Sequence, residues 1–440
     1  MIVVVPSRRW LIAAGALAVV APLALLRPWA AGLLPALDLL WLGLLVLDAA
    51  RTPAPRTLEV IREAPAAFGA GRAATVRYRW RHRAGRTLAL EVRERLPAPL
   101  GGPVTPTRRL LVPPGEGLEE RLELVPLRRG VGTGGELSVR VLGRLGLAWR
   151  QGTIVLPWGA TVYPSVPDAP LRALPLQVAR RREAGLRAIR RPGEGRLFEG
   201  LREWVPGDET RIIDWKATAR RGKPIARQYE DERRQQVLIV IDAGRLRTAE
   251  VNGVPRLEAV IAAALQLARA AVEHDDNVGL MVFADVVQRY LAPARGRRAL
   301  RAVLDGLAHA QGTLAESDYP GAFRHLAAHN RKRALTVLFT DVIDRTASEA
   351  LVAHAATLRP RHLPLAVTLR DPALEALAAA RPDATAGAFE RAAAEELLGA
   401  REAALAEMRG RGVMVLDVPP ASAGEAVVAR YHQLKRRGML

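Results

Sequence analysis

Two long apolar runs near the N-terminus constrain the fold of this 440-residue chain more than any other feature. They occupy residues 10–26 and 29–47, and only Arg27 and Pro28 separate them. Each run approaches the roughly 20 residues that an α-helix needs to cross the hydrocarbon core of a bilayer. The sequence therefore predicts a transmembrane helical hairpin within residues 1–52.

Basic residues flank both sides of the predicted hairpin. They are Arg8 and Arg9 before the first run, and Arg51, Arg56 and Arg62 after the second. The positive-inside rule then predicts a multi-pass protein of the inner (cytoplasmic) membrane with its soluble domains in the cytoplasm. A cleaved signal peptide is the alternative, but no small-residue cleavage site precedes the second run. Asp38 lies inside that run, and we expect its carboxyl group to be sealed between the two helices.

The chain is strongly basic, with a net charge of +20 from 65 Lys and Arg residues against 45 Asp and Glu residues. Such an excess suits an anionic lipid surface, an acidic protein or nucleic acid. We expect no specific nucleic-acid binding, because the aromatic residues among the arginines are predicted to face inward. The absence of cysteine excludes disulfides, thiolate metal sites and cysteine nucleophiles.

Short runs of alternating polar and apolar residues follow the membrane segment. The clearest lie at residues 74–81, 88–95, 118–125 and 136–142. Several half-buried strands at this spacing predict a small β-sandwich over residues 53–165. The segment 130–135 formally matches the G-x-G-x-x-G pattern, but a strand pattern follows it where a dinucleotide site needs a helix. We interpret it as a hairpin turn.

The pattern of apolar residues changes again over residues 235–440, where near-continuous apolar runs alternate with helical patterns. The runs are residues 237–241, 278–283, 335–339, 363–369 and 413–416. Strands of this kind are buried on both faces, as in a parallel sheet. An amphipathic stripe over residues 257–268 predicts one of the intervening helices. The sequence therefore predicts a doubly wound α/β domain.

Polar residues lie where two of these strands end, which is where ligands bind in an open parallel sheet. Asp242 ends the first strand, Asp341 ends the third, and Thr313 lies in a loop between them. This constellation resembles the metal-ion-dependent adhesion site of von Willebrand factor A domains. In those domains an Asp-x-Ser-x-Ser loop, a threonine and a second aspartate hold Mg²⁺ through oxygen ligands.

The loop departs from that pattern at both serine positions, which Gly244 and Leu246 occupy. Arg245 also brings a positive charge, and we expect its guanidinium to neutralise Asp242 or Asp341 in place of a metal. We predict no cofactor and no metal; Asp242, Thr313 and Asp341 are weak candidate ligands for Mg²⁺. The strand-end rim is a candidate partner-binding surface formed by Asp242, Gly244, Arg245, Thr313 and Asp341.

The most specific stretch of the chain, which we term the signature block, spans residues 195–232 within a predicted connector region at 166–234. Its characteristic residues are Arg202, Pro206, Gly207, Asp208, Arg211, Asp214, Trp215, Ala219, Arg220, Glu230 and Glu232. The block closely resembles the hallmark of the domain-of-unknown-function 58 family. We expect Pro206-Gly207 to form a type II turn and Asp208 to cap a short helix. We also expect Trp204 and Trp215 to pack against an ion-pair network.

The resemblance implies a von Willebrand factor A-like domain and an association with a MoxR-type AAA+ ATPase. The expected function is therefore that of a membrane-anchored, non-enzymatic adaptor in the assembly or remodelling of other proteins. One alternative is a Mg²⁺-dependent ligand-binding domain, and another is a hydrolase that uses Asp242 or Asp341. The sequence holds no phosphate-binding loop, nucleophile elbow or H-E-x-x-H motif, and His325 and His329 lack the glutamate such a motif requires.

Overall fold

The computed structural model describes residues 3–20, 22, 30–101, 104–164, 197–206, 208, 210–230, 235–251, 254–342, 348–359, 361–382 and 385–440. The chain forms two compact units, Met1–Ser165 and Val166–Leu440.

The described residues of the first unit form two α-helices and nine strands. They are β1 (Val3–Pro6), α1 (Arg8–Val20), α2 (Ala30–Arg51), β2 (Glu59–Glu63), β3 (Phe68–Gly69), β4 (Ala74–Arg81), β5 (Leu88–Arg95), β6 (Arg108–Val112), β7 (Leu118–Leu124), β8 (Gly130–Leu142) and β9 (Ala148–Tyr163). One sheet has the order β1-β9-β8-β5-β6, with β3 also paired to β9, and the other has the order β2-β4-β7. Residues of both sheets share one hydrophobic core.

The alternation in β4 explains how this core forms. Val76, Tyr78 and Trp80 are buried, and the arginines between them are exposed. Every second side chain of β4 lies on one face of its sheet, and the other sheet packs against that apolar face. The inward position predicted for these aromatic residues is confirmed.

The interpretation of residues 130–135 as a hairpin turn is wrong, because they form the first half of β8. Glycine allows close approach here, since a Cβ on Gly132 would lie 2.6 Å from Cδ of Pro99. Gly135 has φ +106°, a conformation that favours glycine, at a register shift between β8 and β9. The glycines therefore serve a bulged, closely packed strand.

The helices of the first unit are joined to each other and to its sheet. Trp10 Nε1 donates to the carbonyl of Trp41 at 3.2 Å, and Trp41 Nε1 donates to the carbonyl of Trp10 at 3.3 Å. Before α1, β1 pairs antiparallel with β9. After the apolar part of α2, buried Asp48 accepts hydrogen bonds from two backbone N–H groups of the loop between β8 and β9 and from that of Ala148, the first residue of β9.

One stretch of the described chain, Gly32–Thr57, is long and apolar enough to cross a membrane by length and composition. The predicted turn of the hairpin, Arg27 and Pro28, lies outside the described residues. The expectation for Asp38 is wrong: its side chain is exposed on α2 and not sealed between helices.

The first described elements of the second unit belong to the signature block, and a larger sheet follows them. Its elements are β10 (Leu197–Glu203), α3 (Trp215–Arg221), β11 (Ile225–Glu230), β12 (Gln236–Asp242), β13 (Glu250–Val251), β14 (Val254–Pro255), α4 (Arg256–Glu273), β15 (Asn277–Phe283), β16 (Val287–Ala294), α5 (Gly296–His309), α6 (Tyr319–His329), β17 (Leu335–Phe339), α7 (Glu349–Thr357), β18 (Leu363–Leu369), α8 (Pro372–Ala379), α9 (Thr385–Gly410), β19 (Met414–Val418) and α10 (Ala423–Arg436).

The larger sheet has the order β16-β15-β12-β17-β18-β19, and all neighbours are parallel except β15 and β16. Ile239 and its alternate neighbours pack against α4, α5 and α10, whereas Leu238 and Val240 pack against α6, α7 and α9. Both faces of the central strands are therefore buried, which is why they are apolar throughout. The predicted mixed α/β class is confirmed, and the five predicted strands are present.

Candidate functional site at the strand ends

The strand-end rim lies at the point where the strand order of the sheet reverses. Chain connections run from β12 to β15 on one side, and from β17 to β18 on the other. Because β12 and β17 are adjacent and parallel, their carboxyl ends meet, and a crevice forms there. Asp242 is the last residue of β12, and Asp341 follows β17 by two positions. The structure therefore brings these two predicted residues to the same edge.

Asp242 is almost fully buried, with 3% of its surface exposed, and the chain satisfies both of its oxygens. Oδ1 accepts hydrogen bonds from the Ser317 hydroxyl and, at 3.0 Å, from the Gly244 backbone N–H. Oδ2 accepts from the Tyr319 hydroxyl at 2.7 Å and the Thr340 hydroxyl at 2.9 Å. A carboxylate offers about four acceptor positions, so these donors saturate it.

Tyr319 is held in its protonated, donating form. Burial and the negative charge of Asp242 raise the pKa of Tyr319 well above its ordinary value. The phenol hydroxyl also lies 2.9 Å from the Thr340 hydroxyl, which joins the two donors in one network. The aspartate thus retains these donors throughout the physiological pH range.

The side chain of Ser317 occupies the space that a side chain at position 244 would need. A Cβ built on Gly244 would collide with the hydroxyl oxygen of Ser317 and lie 3.1 Å from the carbonyl of Ala315. The hydroxyl that a serine at position 244 would bring to Asp242 is therefore replaced by one from a loop more than seventy residues later.

Asp341 is neutralised by two arginines that the sequence reasoning missed. Arg247 is completely buried, and its Nη1 lies 3.3 Å from Oδ2 of Asp341. Arg256, the first residue of α4, places Nη2 at 3.2 Å from Oδ1. A buried carboxylate is stable only when paired or hydrogen-bonded, and these guanidinium groups supply the pairing. Arg256 donates a hydrogen bond to Asp341, whereas the Arg247 contact is one of charge alone: Oδ2 of Asp341 and the guanidinium nitrogens of Arg247 have no hydrogen-bond partner among the described residues.

The expectation that Arg245 neutralises Asp242 or Asp341 is wrong. Its guanidinium is exposed and pairs with Glu316 at 3.1 Å. Residues 245–247 form one turn of 3₁₀ helix, in which Arg245 points outward and Arg247 inward. The loop does place a positive charge beside Asp341, but this charge belongs to Arg247 and not to Arg245.

Thr313 has a structural contact with the first strand. Its backbone N–H donates to the carbonyl of Ala243 at 2.9 Å, which ties the loop to the end of β12. Its buried hydroxyl has no hydrogen-bond partner among the described residues. Within that described part of the chain, no group of three or more His, Asp or Glu side chains could hold a metal ion.

The donor set does not fit the Mg²⁺ that the adhesion-site resemblance implies. Mg²⁺ takes free oxygen ligands, whereas the oxygens of Asp242 already accept hydrogen bonds and those of Asp341 lie against cations. A divalent ion would have to displace these donors and approach two arginines.

A cavity of about 440 Å³ adjoins Asp341, and we term it the strand-end cavity. Its lining residues follow the ends of β17, β18 and β19 and cover parts of α8 and α9. They are Leu246, Ala249, Arg256, Asp341, Val342, Leu369, Arg370, Asp371, Leu374, Glu375, Leu397, Leu398, Arg401, Glu402 and Asp417.

The signature block contains a tight ion pair between Arg202 and Asp208. Nη1 and Nη2 of the arginine lie 2.6 and 2.7 Å from the two carboxylate oxygens. Hydrogen bonding from Arg202 lowers the pKa of Asp208, and the Val205 backbone N–H adds to the effect. The expectation that Asp208 caps a helix is wrong, because Asp214 caps α3 by accepting from two backbone N–H groups at 3.0 Å.

Trp215 does not pack against this pair. It is 70% exposed on the first turn of α3, which corrects the expectation, while the indole N–H of Trp204 is buried. Pro206, Ala219 and Arg220 are exposed. Gly207 and Glu232, and the side chains of Arg211 and Glu230, lie outside the described residues.

Comparison with known proteins supports the resemblance within the second unit. The model of the family "Protein of unknown function DUF58" matches residues 200–392. No curated protein matches the chain. Among solved structures, the CARDB domain of a Pyrococcus furiosus protein in complex with di-metal ions is 13% identical. That likeness covers 26% of this chain and 90% of that one, with a TM-score of 0.17, and it carries no argument about fold or function.

Proposed function

We propose that this protein is a membrane-anchored, non-enzymatic adaptor that binds a protein partner at the carboxyl edge of its larger sheet. The observation that carries the proposal is the state of Asp242 and Asp341. Both carboxylates are held by the chain's own donors and cations, so the edge is built as a fixed surface. The partner expected from the family resemblance is a MoxR-type AAA+ ATPase.

The strand order supports a von Willebrand factor A-like assignment of the second unit. Counted along the sequence, the parallel strands have the order 2-1-3-4-5, with one antiparallel edge strand, and helices cover both faces. Without a cation at its rim, such a domain contacts its partner through side chains and backbone groups.

The same geometry argues against the alternative of a hydrolase. An aspartate that acts as nucleophile or general base needs an oxygen within reach of substrate. Asp242 is buried beneath Ser317 and Tyr319, and Asp341 is 7% exposed between Arg247 and Arg256.

Membrane anchoring is supported by the apolar character of Gly32–Thr57 and by the packing of α1 on α2 through Trp10 and Trp41. A hairpin of these helices holds the soluble units close to the bilayer, where an ATPase that remodels membrane-associated proteins would meet them.

The proposal is tested by binding between the full-length chain, purified in non-ionic detergent, and the MoxR-type ATPase of the same organism, with and without nucleotide. Leu314 is 86% exposed in the loop that carries Thr313, so Leu314→Asp should weaken binding at least tenfold. The matched control is Val155→Asp, a 70% exposed apolar residue of the first unit, which should bind as the wild type does. No binding by the wild-type chain in either nucleotide state would refute the proposed partner.

A further inference from the structure

The arginines at the base of the strand-end cavity already bind carbonyl and carboxylate groups of the chain. Arg401 of α9 donates to the carbonyl of Val342 at 2.8 Å and to that of Leu369 at 3.3 Å, and it pairs with Asp417. Arg256 donates to the same Leu369 carbonyl at 2.6 Å. Only 12–13% of either arginine side chain is exposed. These guanidinium groups therefore hold the strand ends together and offer little charge to a ligand.

The accessible rim of the cavity is acidic overall. Glu402 is 64% exposed, Glu375 42% and Asp371 35%, measured on their side chains. These carboxylates outnumber the exposed guanidinium of the lining, that of Arg370, which is 43% exposed and lies 3.6 Å from Glu375. Arg409, outside the lining, pairs with Glu402 at 2.7 Å. The lining as a whole contains five carboxylates and three guanidinium groups. In a chain with a net charge of +20, this is a local reversal of sign. An acidic recess on a basic protein attracts and orients a cationic group.

Leucines complete the walls between α8 and α9. Leu374 and Leu398 line the cavity, and Leu397 is 45% exposed at its edge. The rim carboxylates thus lie beside exposed and half-buried leucines. Lys and Arg side chains suit such a surface, because their aliphatic stems lie on apolar groups while the charged end reaches a carboxylate.

We propose that the strand-end cavity binds a basic peptide segment of a protein partner, in which Lys or Arg residues are flanked by leucine-like residues. The cation takes the place of the exposed arginines that pair with Glu375 and Glu402, and the apolar side chains contact the leucines of the wall. The volume of about 440 Å³ lies within the usual range for pockets that enclose a ligand. The inference rests on the proposed adaptor function and specifies the chemistry of the bound segment.

The test uses two short fluorescent peptides of equal length, one alternating arginine with leucine and the other glutamate with leucine. Their binding to the full-length chain in non-ionic detergent is followed by fluorescence anisotropy. The arginine peptide should bind saturably, and more weakly as salt increases, whereas the glutamate peptide should not bind. The double variant Glu375→Gln with Glu402→Gln should weaken binding by about tenfold.

A matched control removes the same charge outside the cavity. Glu395 and Glu407 also lie on α9, each pairs with an arginine four residues away, and neither lines the cavity. The variant Glu395→Gln with Glu407→Gln should bind the arginine peptide as the wild type does. Comparing the two variants separates the cavity from the general charge of the helix.

Equal affinity for the two peptides, or an equal loss in both double variants, would overturn the inference. The ATPase binding assay is run in parallel on the same wild-type preparation. If the ATPase binds but the arginine peptide does not, the inference about the cavity fails alone. If the peptide binds as expected but the ATPase does not, the ligand class stands and the proposed partner is wrong.

Discussion

Asp242 and Asp341 lie at the carboxyl ends of adjacent strands, yet the chain stabilises them in different ways. Hydroxyl groups and one backbone N–H surround Asp242, whereas Asp341 lies between Arg247 and Arg256. Hydrogen bonds to a charged group contribute about 1.5–3 kcal/mol each, and loss of one partner of a buried ion pair costs about 3–5 kcal/mol. Moving Asp242 therefore breaks four hydrogen bonds, and moving Asp341 breaks its ion pairs with Arg247 and Arg256.

The space at Gly244 leads to a prediction about restoring the adhesion-site pattern. Gly244→Ser should destabilise the second unit by about 1–3 kcal/mol, because the new side chain collides with the Ser317 hydroxyl. Thermal unfolding of the full-length protein in detergent, followed by tryptophan fluorescence, measures the change. Ser317→Gly in the same chain removes the obstacle and should recover most of the loss. A single variant as stable as the wild type would show that the two groups do not share this space.

Sequence reasoning located the two aspartates because strand ends can be read from apolar runs. It could not identify Ser317, Tyr319 or Thr340 as donors, since contacts across 75–98 residues leave no local pattern. The choice of Arg245 over Arg247 failed for a different reason. Which side of a single 3₁₀ turn faces inward depends on tertiary packing, not on spacing.

At the scale of elements, four strands of the first unit and five of the second were predictable, because burial imposes a period of two or a continuous apolar run; others, such as β9 and β16, were not predicted. The 26 residues of α9 were missed, since an alanine-rich helix with few buried positions has a weak apolar stripe. The glycine run in β8 was misinterpreted because glycine serves turns and bulged strands equally well. Close packing against Pro99 is a tertiary requirement that the sequence does not display.

Asp48 joins α2 to the first unit and gives a prediction at this scale. Its two carboxylate oxygens accept from the N–H groups of Leu145, Leu147 and Ala148 at 2.8–3.1 Å. Asp48→Ala leaves these buried groups without their acceptor, so the first unit should lose at least about 2 kcal/mol of stability. Chemical unfolding followed by tryptophan fluorescence measures the loss.

Asp38→Ala provides the control on the same helix, because the Asp38 side chain is exposed and the Asp48 side chain is buried. The control should not lower the unfolding midpoint. Equal destabilisation by both substitutions would mean that charge on the helix matters, and not the contact with the loop.

Considered as a whole, the second unit should lose stability when the pH falls below neutrality. Burial lowers the pKa of His274, His325 and His362 below the ordinary value of 6.5, and neighbouring positive charges lower it further. The unfolded chain therefore binds more protons than the folded chain between the lowered values and about 6.5. The contribution of these histidines to the free energy of unfolding is fully present above about pH 6.5, and it is lost as the pH falls through their folded-state pKa values.

Thermal unfolding from about pH 7.5 to pH 5 measures this effect, and the unfolding temperature of the second unit should fall across that interval. The variant with His274→Gln, His325→Gln and His362→Gln should show a flatter dependence. The depressed pKa of Asp208 does not contribute in this interval, since its ordinary value is already 3.8. A pH dependence unchanged in the triple variant would assign the effect to other groups.

The pairing of β1 with β9 predicts that both ends of the helical segment lie on the same side of the membrane. Strand pairing cannot extend through lipid, so residues 3–6 and the sheet that they join must lie on the same side of the bilayer. Because the chain has no cysteine, single cysteines report their location without background. Val4→Cys in β1 and Arg83→Cys in the first unit, both at exposed positions, should react with a membrane-impermeant maleimide in inverted inner-membrane vesicles and not in spheroplasts. Labelling of the two positions from opposite sides would exclude a hairpin.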